Sequence, residues 1–215
     1  MSRDVVIIPG LARLPSELSA YADLGRIIPL PGQGAPVLPE MTFAGIVSSL
    51  RLQIPAGAFV VGESLGGLIA LGLPNPVLAI DPPLTTSKQW ALQIAARDMA
   101  RRIAKRPFDD LLANVFGYMP DGGLEERIYY GLLERRQPTH ILTGDLPLFP
   151  GHLPVPQPCL LDDVDRYMLQ RAGVPVHQIS GPHALMDANP AAVRQVILEV
   201  REALQGALEG HNSGD

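Results

Sequence analysis

The sequence predicts an α/β fold: a mainly parallel sheet covered by helices on both faces. Three observations predict it. Short apolar, β-branched runs alternate with helix-like segments along most of the chain. Proline and glycine close several of those runs, where a strand has to turn. One apolar run breaks at a single serine between glycines and then continues with helical character. The 215 residues, 47% of them hydrophobic, suffice for one domain with a substantial core.

Val5-Val6-Ile7-Ile8 is a β-branched strand that ends at Pro9-Gly10. Residues 14–22 read as a helix, and 26–30 as a second strand closed by the loop Pro31-Gly32-Gln33-Gly34. Residues 41–52 form an amphipathic helix with Phe43, Ile46, Val47 and Leu50 inward, and the Thr42 hydroxyl can cap its start. Phe59-Val60-Val61 is a buried strand, and Leu68, Ile69 and Leu71 give the next helix its apolar face. Residues 76–81 return to strand. Residues 87–137 are mostly helical in pattern and hold no strand of their own, so they read as a helical cap inserted over one end of the sheet. Strand 139–143, helix 163–171, strand 174–179 and a long final helix, 190–208, complete a single domain spanning 1–215.

Composition excludes several classes. A net charge of −5 gives no electrostatic footprint for nucleic acid or for an anionic membrane. No apolar run approaches the ~20 residues of a membrane-spanning helix. The solitary Cys159 cannot form an intrachain disulfide, and no cysteine/histidine cluster has zinc spacing, so no metal is expected. The N-terminus lacks the basic start and long apolar region of a signal peptide, and the expected location is cytoplasmic. There is no G-x-x-x-x-G-K-[S/T] loop, and Pro-Gly-Leu-Ala follows the first strand in place of G-x-G-x-x-G; no nucleotide or other cofactor is implied.

The serine lies in Gly62-Glu63-Ser64-Leu65-Gly66, which fits G-x-S-x-G, a strained turn that lifts a nucleophilic hydroxyl out at a strand's end. Both glycines have a steric reason, since a side chain at either would meet the neighbouring backbone. A serine hydroxyl is a poor nucleophile near neutral pH and needs a base. Histidine suits that task because its ordinary pKa lies near 6.5. Of five histidines, His140 and His177 lie within strand-like runs and read as packing or edge residues. His152 is in a Pro/Gly-rich loop and His211 in the tail. His183 follows a strand and precedes a long helix, where parallel-sheet sites form, and is the candidate base. An acid should orient the imidazole. Asp145, just past strand 139–143, keeps the order Ser…Asp…His and is the first choice. Asp81, at the end of the strand after the serine's helix, is the second. Asp162 and Asp163 have a sufficient role as helix-start residues. The Leu65 N–H, at a helix N-terminus, can donate to an oxyanion. Glu63 reads as a solvated or hydrogen-bonded carboxylate beside that terminus.

These residues, in this order, resemble the α/β-hydrolase superfamily over nearly the whole chain. Val5 to Leu11 is similar to the family's early strand and His-Gly-X turn, with Pro9 where histidine is common. Leu30-Pro31-Gly32-Gln33-Gly34 resembles the D-x-P-G-H-G loop, and the segment around His183, before Asn189-Pro190, resembles the family's histidine signature. The resemblance implies an α/β-hydrolase fold without the two strands that often precede the first landmark. It implies Leu11 N–H as the second oxyanion donor and a lid or cap where residues 87–137 lie. The expected function is a serine hydrolase acting on a carboxylic ester or thioester through Ser64, His183 and Asp145, with a small acyl substrate as partner. An acyltransferase or lyase on the same residues, or a non-catalytic binding member of the fold, are the alternatives.

Overall fold

The computed structural model describes residues 4–86, 105–119, 123, 125–135, 137–146 and 158–212. Its centre is a six-stranded sheet in which every strand pair is parallel, as the alternation of elements predicts. Six runs build it: β1 (Val5–Ile8), β2 (Arg26–Ile27), β5 (Phe59–Glu63), β6 (Val77–Ile80), β7 (Thr139–Thr143) and β8 (Val176–Gln178). The order across the sheet is β2-β1-β5-β6-β7-β8. Two minimal strands, β3 (Leu30–Pro31) and β4 (Gly34–Ala35), pair separately in the loop after β2. The expected second strand is therefore two short ones, because Pro29 interrupts it.

Side chains alternate between the sheet's faces, and each face has its own core. Val6, Ile8, Val60, Val77, Ala79 and Ile141 pack with α1 (Phe43–Arg51), α2 (Leu65–Leu71) and Leu169 of α4 (Asp163–Arg171). Val5, Ile7, Phe59, Val61, Leu78, Ile80 and Leu142 pack on the other face. Their partners are the 3₁₀ segment Pro15–Tyr21, the short α5 (Leu185–Ala188) and α6 (Pro190–Asn212). The central strands are apolar at nearly every position because both faces are buried. Helix starts follow the sequence: Thr42 Oγ1 accepts the Gly45 N–H at 3.0 Å, and Asp162 caps α4 through the N–H groups of Val164 and Asp165. The C-terminal end of α2 is closed by Arg135, which donates to the carbonyls of Ala70, Leu71, Leu73 and Asn75.

Within the segment expected to be a cap, the described residues form α3 (Lys105–Leu111), a wider π turn (Leu112–Phe116) and a 3₁₀ turn (Tyr130–Leu133). Phe116, Val115 and Leu133 are buried against the α2 side of the core, and Ile128 bridges to Thr85. Residues 87–104, including Trp90, lie outside the described residues, as does His152. Among the described residues no helix is long and apolar enough to cross a membrane.

Candidate active site

The chain turns back on itself at β1. From there it runs outward to β2, then crosses to the other side of β1 to form β5. The crevice beyond the carboxyl ends of β1 and β5 is the place where parallel sheets of this kind form sites. Ser64 sits there, between β5 and α2, with φ 50° and ψ −115°, and donates its own N–H to Ile80 O at 2.8 Å. The turn needs glycine on both sides. A side chain at Gly62 would strike the Gly66 carbonyl, and one at Gly66 would strike the carbonyls of Ile8 and Pro9. Among the described residues the non-glycine residues with positive φ are Ala12, Ser64 and Asp81, and all three lie at this end of the sheet. Backbone strain of this kind clusters at active sites and ligand clamps in proteins generally.

The structure brings Ser64 and His183 together across the sheet's end. The Ser64 hydroxyl donates to His183 Nε2 at 2.9 Å. The opposite ring nitrogen, Nδ1, donates to Asp81 Oδ2 at 2.5 Å. Because a carboxylate only accepts, this contact places the ring proton on Nδ1 and leaves Nε2 free to accept from the serine. Burial disfavours the His183 imidazolium. The hydrogen bond and charge of Asp81, with a smaller contribution from Glu63, outweigh it, so its pKa lies above the ordinary value.

The expected acid, Asp145, is elsewhere. It is exposed, and its Oδ1 accepts the Gly181 N–H at 2.9 Å, which holds its carboxyl below the usual range. That bond ties the end of β7 to Gly181, two residues before His183. Asp81 takes the place on the ring because it extends β6, the strand next to Ser64, and is fully buried. Four donors converge on its carboxylate: His183, the Thr143 hydroxyl at 3.0 Å, Leu160 N–H at 2.8 Å and Leu161 N–H at 3.4 Å. A sequence signal for this existed. An aspartate that ends the all-apolar run Val77-Leu78-Ala79-Ile80 is carried into the interior unless the strand stops short.

Neither the Leu11 nor the Leu65 N–H donates a hydrogen bond among the described residues; Leu65 directly follows Ser64, and Leu11 follows Gly10 in the turn after β1. The β1 turn lies directly against the elbow, since a Cβ at Gly10 would sit 3.4 Å from Ser64 Cβ. Cys159 is buried nearby, and burial above all, with the Asp81 charge, pushes its thiol up to about 11. A thiol so disfavoured as thiolate is no rival nucleophile. A hollow of about 380 Å³ at the opposite end of α2, lined by Val47, Arg51 and Arg135, contains none of these residues. The hydrogen-bonded line of Ser64, His183 and Asp81 lies at the N-terminal end of that helix. No group of three or more potential metal ligands occurs among the described residues.

Six strands in this order, with a serine on a strained turn after the strand that follows the switch point, decide the architecture. The chain has the α/β-hydrolase fold. Solved structures of this fold align with it over nearly its full length. A lipase-esterase related protein from Clostridium acetobutylicum is 13% identical with a TM-score of 0.64, covering 92% of this chain and 94% of its own. The thioesterase domain from the curacin biosynthetic pathway is 15% identical, TM-score 0.57, covering 92% and 91%. Naproxen esterase from Bacillus subtilis is 16% identical, TM-score 0.56, covering 93% and 83%. No family model and no curated protein matches the sequence.

Proposed function

We propose that the chain is a serine hydrolase that cleaves a carboxylic ester or thioester through an acyl-enzyme intermediate. One observation carries the reading: a continuous hydrogen-bonded line from Ser64 Oγ through both nitrogens of His183 to Asp81. Ser64 Oγ attacks the substrate carbonyl while Nε2 takes its proton, and the Asp81 carboxylate holds the imidazolium and its tautomer. The N–H groups of Leu11 and Leu65 receive the oxyanion, a contribution of about 3 kcal/mol for each donor. His183 then returns the proton to the departing alcohol or thiol. Water, deprotonated by Nε2, releases the acid and restores the serine. The esterase and thioesterase names of the structural neighbours support this class through the fold they share. Residues 87–137 are the proposed cap over the site, since their described part packs on the α2 side of the core and adds no strand to the sheet.

The test is an ester and thioester panel of graded acyl length with wild-type and Ser64→Ala protein. Ser64→Ala is expected to lose turnover and fluorophosphonate labelling with an unchanged far-UV spectrum. Labelling of the alanine variant at the wild-type rate sinks the assignment.

A further inference from the structure

Glu63, immediately before the nucleophile, is 5% exposed and ends β5 on the α6 side of the sheet. A carboxylate buried there has to be paired. Its Oε1 accepts from Arg13 Nη1 at 2.5 Å, and its Oε2 accepts the Gly10 N–H at 3.3 Å. Arg13 is itself largely covered, and its other nitrogen, Nη2, bonds both the Glu17 carbonyl and the carboxylate of Asp187. Asp187 lies in α5, the turn of helix that follows His183. One guanidinium therefore spans three segments: the loop of residues 10–13, the elbow through Glu63, and the histidine turn through Asp187. A second brace acts on the same loop, for the Gln33 side-chain oxygen accepts the Ala12 N–H. Gly10 and Ala12 are the two neighbours of Leu11, whose N–H is left without a partner among the described residues.

We propose that Glu63 and Arg13 are positioning residues, an internal clamp that sets the oxyanion loop and the His183 turn relative to Ser64. The inference rests on the serine-hydrolase reading. Neither side chain touches the reacting atoms, and their effect passes through the placement of Leu11 N–H and of the His183 ring. An arginine is suited to this because its fork binds two acceptors in fixed geometry, which a lysine cannot do. Burial raises the pKa of Glu63 and the charge of Arg13 opposes it; in its ionised form Glu63 favours the His183 imidazolium, so its removal favours the neutral ring.

The experiment compares wild type, Glu63→Gln, Arg13→Met and Arg13→Lys. Its readouts are kcat and KM on p-nitrophenyl butyrate, the pH profile of kcat/KM, the rate of fluorophosphonate labelling, and thermal unfolding. Misplacing a donor by a fraction of an ångström costs roughly 10- to 100-fold in rate. Glu63→Gln should lower kcat by that factor, leave KM nearly unchanged and move the acid limb of kcat/KM to lower pH. Arg13→Met should slow turnover similarly, and Arg13→Lys, which keeps the ion pair with Glu63 but cannot hold Asp187 through a second nitrogen, should recover only part of the loss. A folded Glu63→Gln protein with wild-type kcat and an unmoved acid limb overturns the clamp while the hydrolase reading stands. Should Glu63→Gln not fold, the two Arg13 variants decide: equal activity in Met, Lys and wild type overturns the clamp. A wild-type protein that is neither labelled nor active overturns both readings together.

Discussion

Ser64 and Asp81 share a left-handed φ just past the ends of neighbouring strands. Each has positive φ, and each donates its N–H to the next strand, Ser64 to Ile80 and Asp81 to Leu142, while its side chain turns toward His183. Such conformations cost on the order of 1–3 kcal/mol and persist only where the surroundings enforce them. Asp81→Asn should therefore keep the fold, judged by circular dichroism, yet lower kcat by about 10⁴-fold, because an amide holds the wrong imidazole tautomer. Asp145→Asn still accepts the Gly181 N–H and should leave kcat almost untouched. Equal losses in both variants would count against Asp81. At this scale the sequence made Ser64 and His183 legible, since each stands in a turn of recognisable chemistry. Asp81 and Asp145 both follow a strand, and only the depth of each strand end separates them. That depth depends on register with neighbours far away in the chain, as does the choice of Arg13 as the partner of Glu63, which the sequence alone leaves as a solvated or hydrogen-bonded carboxylate beside a helix start.

Among the elements, β7 and the edge strand β8 carry an unusual pair. His140 and His177 stack with ring centroids 5.3 Å apart, and His140 Nδ1 lies 3.0 Å from His177 Nε2. Burial lowers the pKa of both; the His177 charge adds to the effect on His140, while Glu199 of α6 opposes it on His177. A histidine that is harder to protonate folded than unfolded makes acid favour the unfolded chain. The stability from this pair is complete above the unfolded value near 6.5 and falls as pH drops below it. His183, with its raised value, acts in the opposite sense: its contribution is complete below that pH and is lost as pH rises through the folded value. Thermal unfolding at pH 7.5 and 5.5 should show the fall on acidification, and a His140→Gln/His177→Gln double variant should flatten it. An unflattened slope assigns the acid sensitivity to other groups. The pair's location follows from the strand patterns in the sequence, which placed both histidines on strands. Their contact required knowing that Leu142 lies beside His177.

At the scale of the molecule, the alternation of apolar runs and helices was sufficient to predict a parallel sheet with two covered faces. Strand boundaries were less legible. Residues 26–30 and 174–179 are shorter as strands than their apolar content suggests, because both lie at sheet edges or beside proline, where pairing rather than hydrophobicity sets the length. The parallel sheet has a further effect, on the route by which the chain reaches it. Every strand pair closes a loop, and the shortest separation in the sheet is that of β5 and β6, at Val60 and Val77. Closure entropy favours that unit first. It contains both Ser64 and Asp81, yet all the donors to Asp81 come from residues 143–183, beyond the long insertion. The nucleophile's strand is thus expected early and catalytic competence late. Truncations in the nucleus, Val61→Ala and Leu78→Ala, should slow refolding, whereas Ile197→Ala in α6 should chiefly speed unfolding. In a refolding time course, reactivity toward a fluorophosphonate should return only as β7, β8 and the His183 turn dock, after the β5–β6 amides have become protected from exchange.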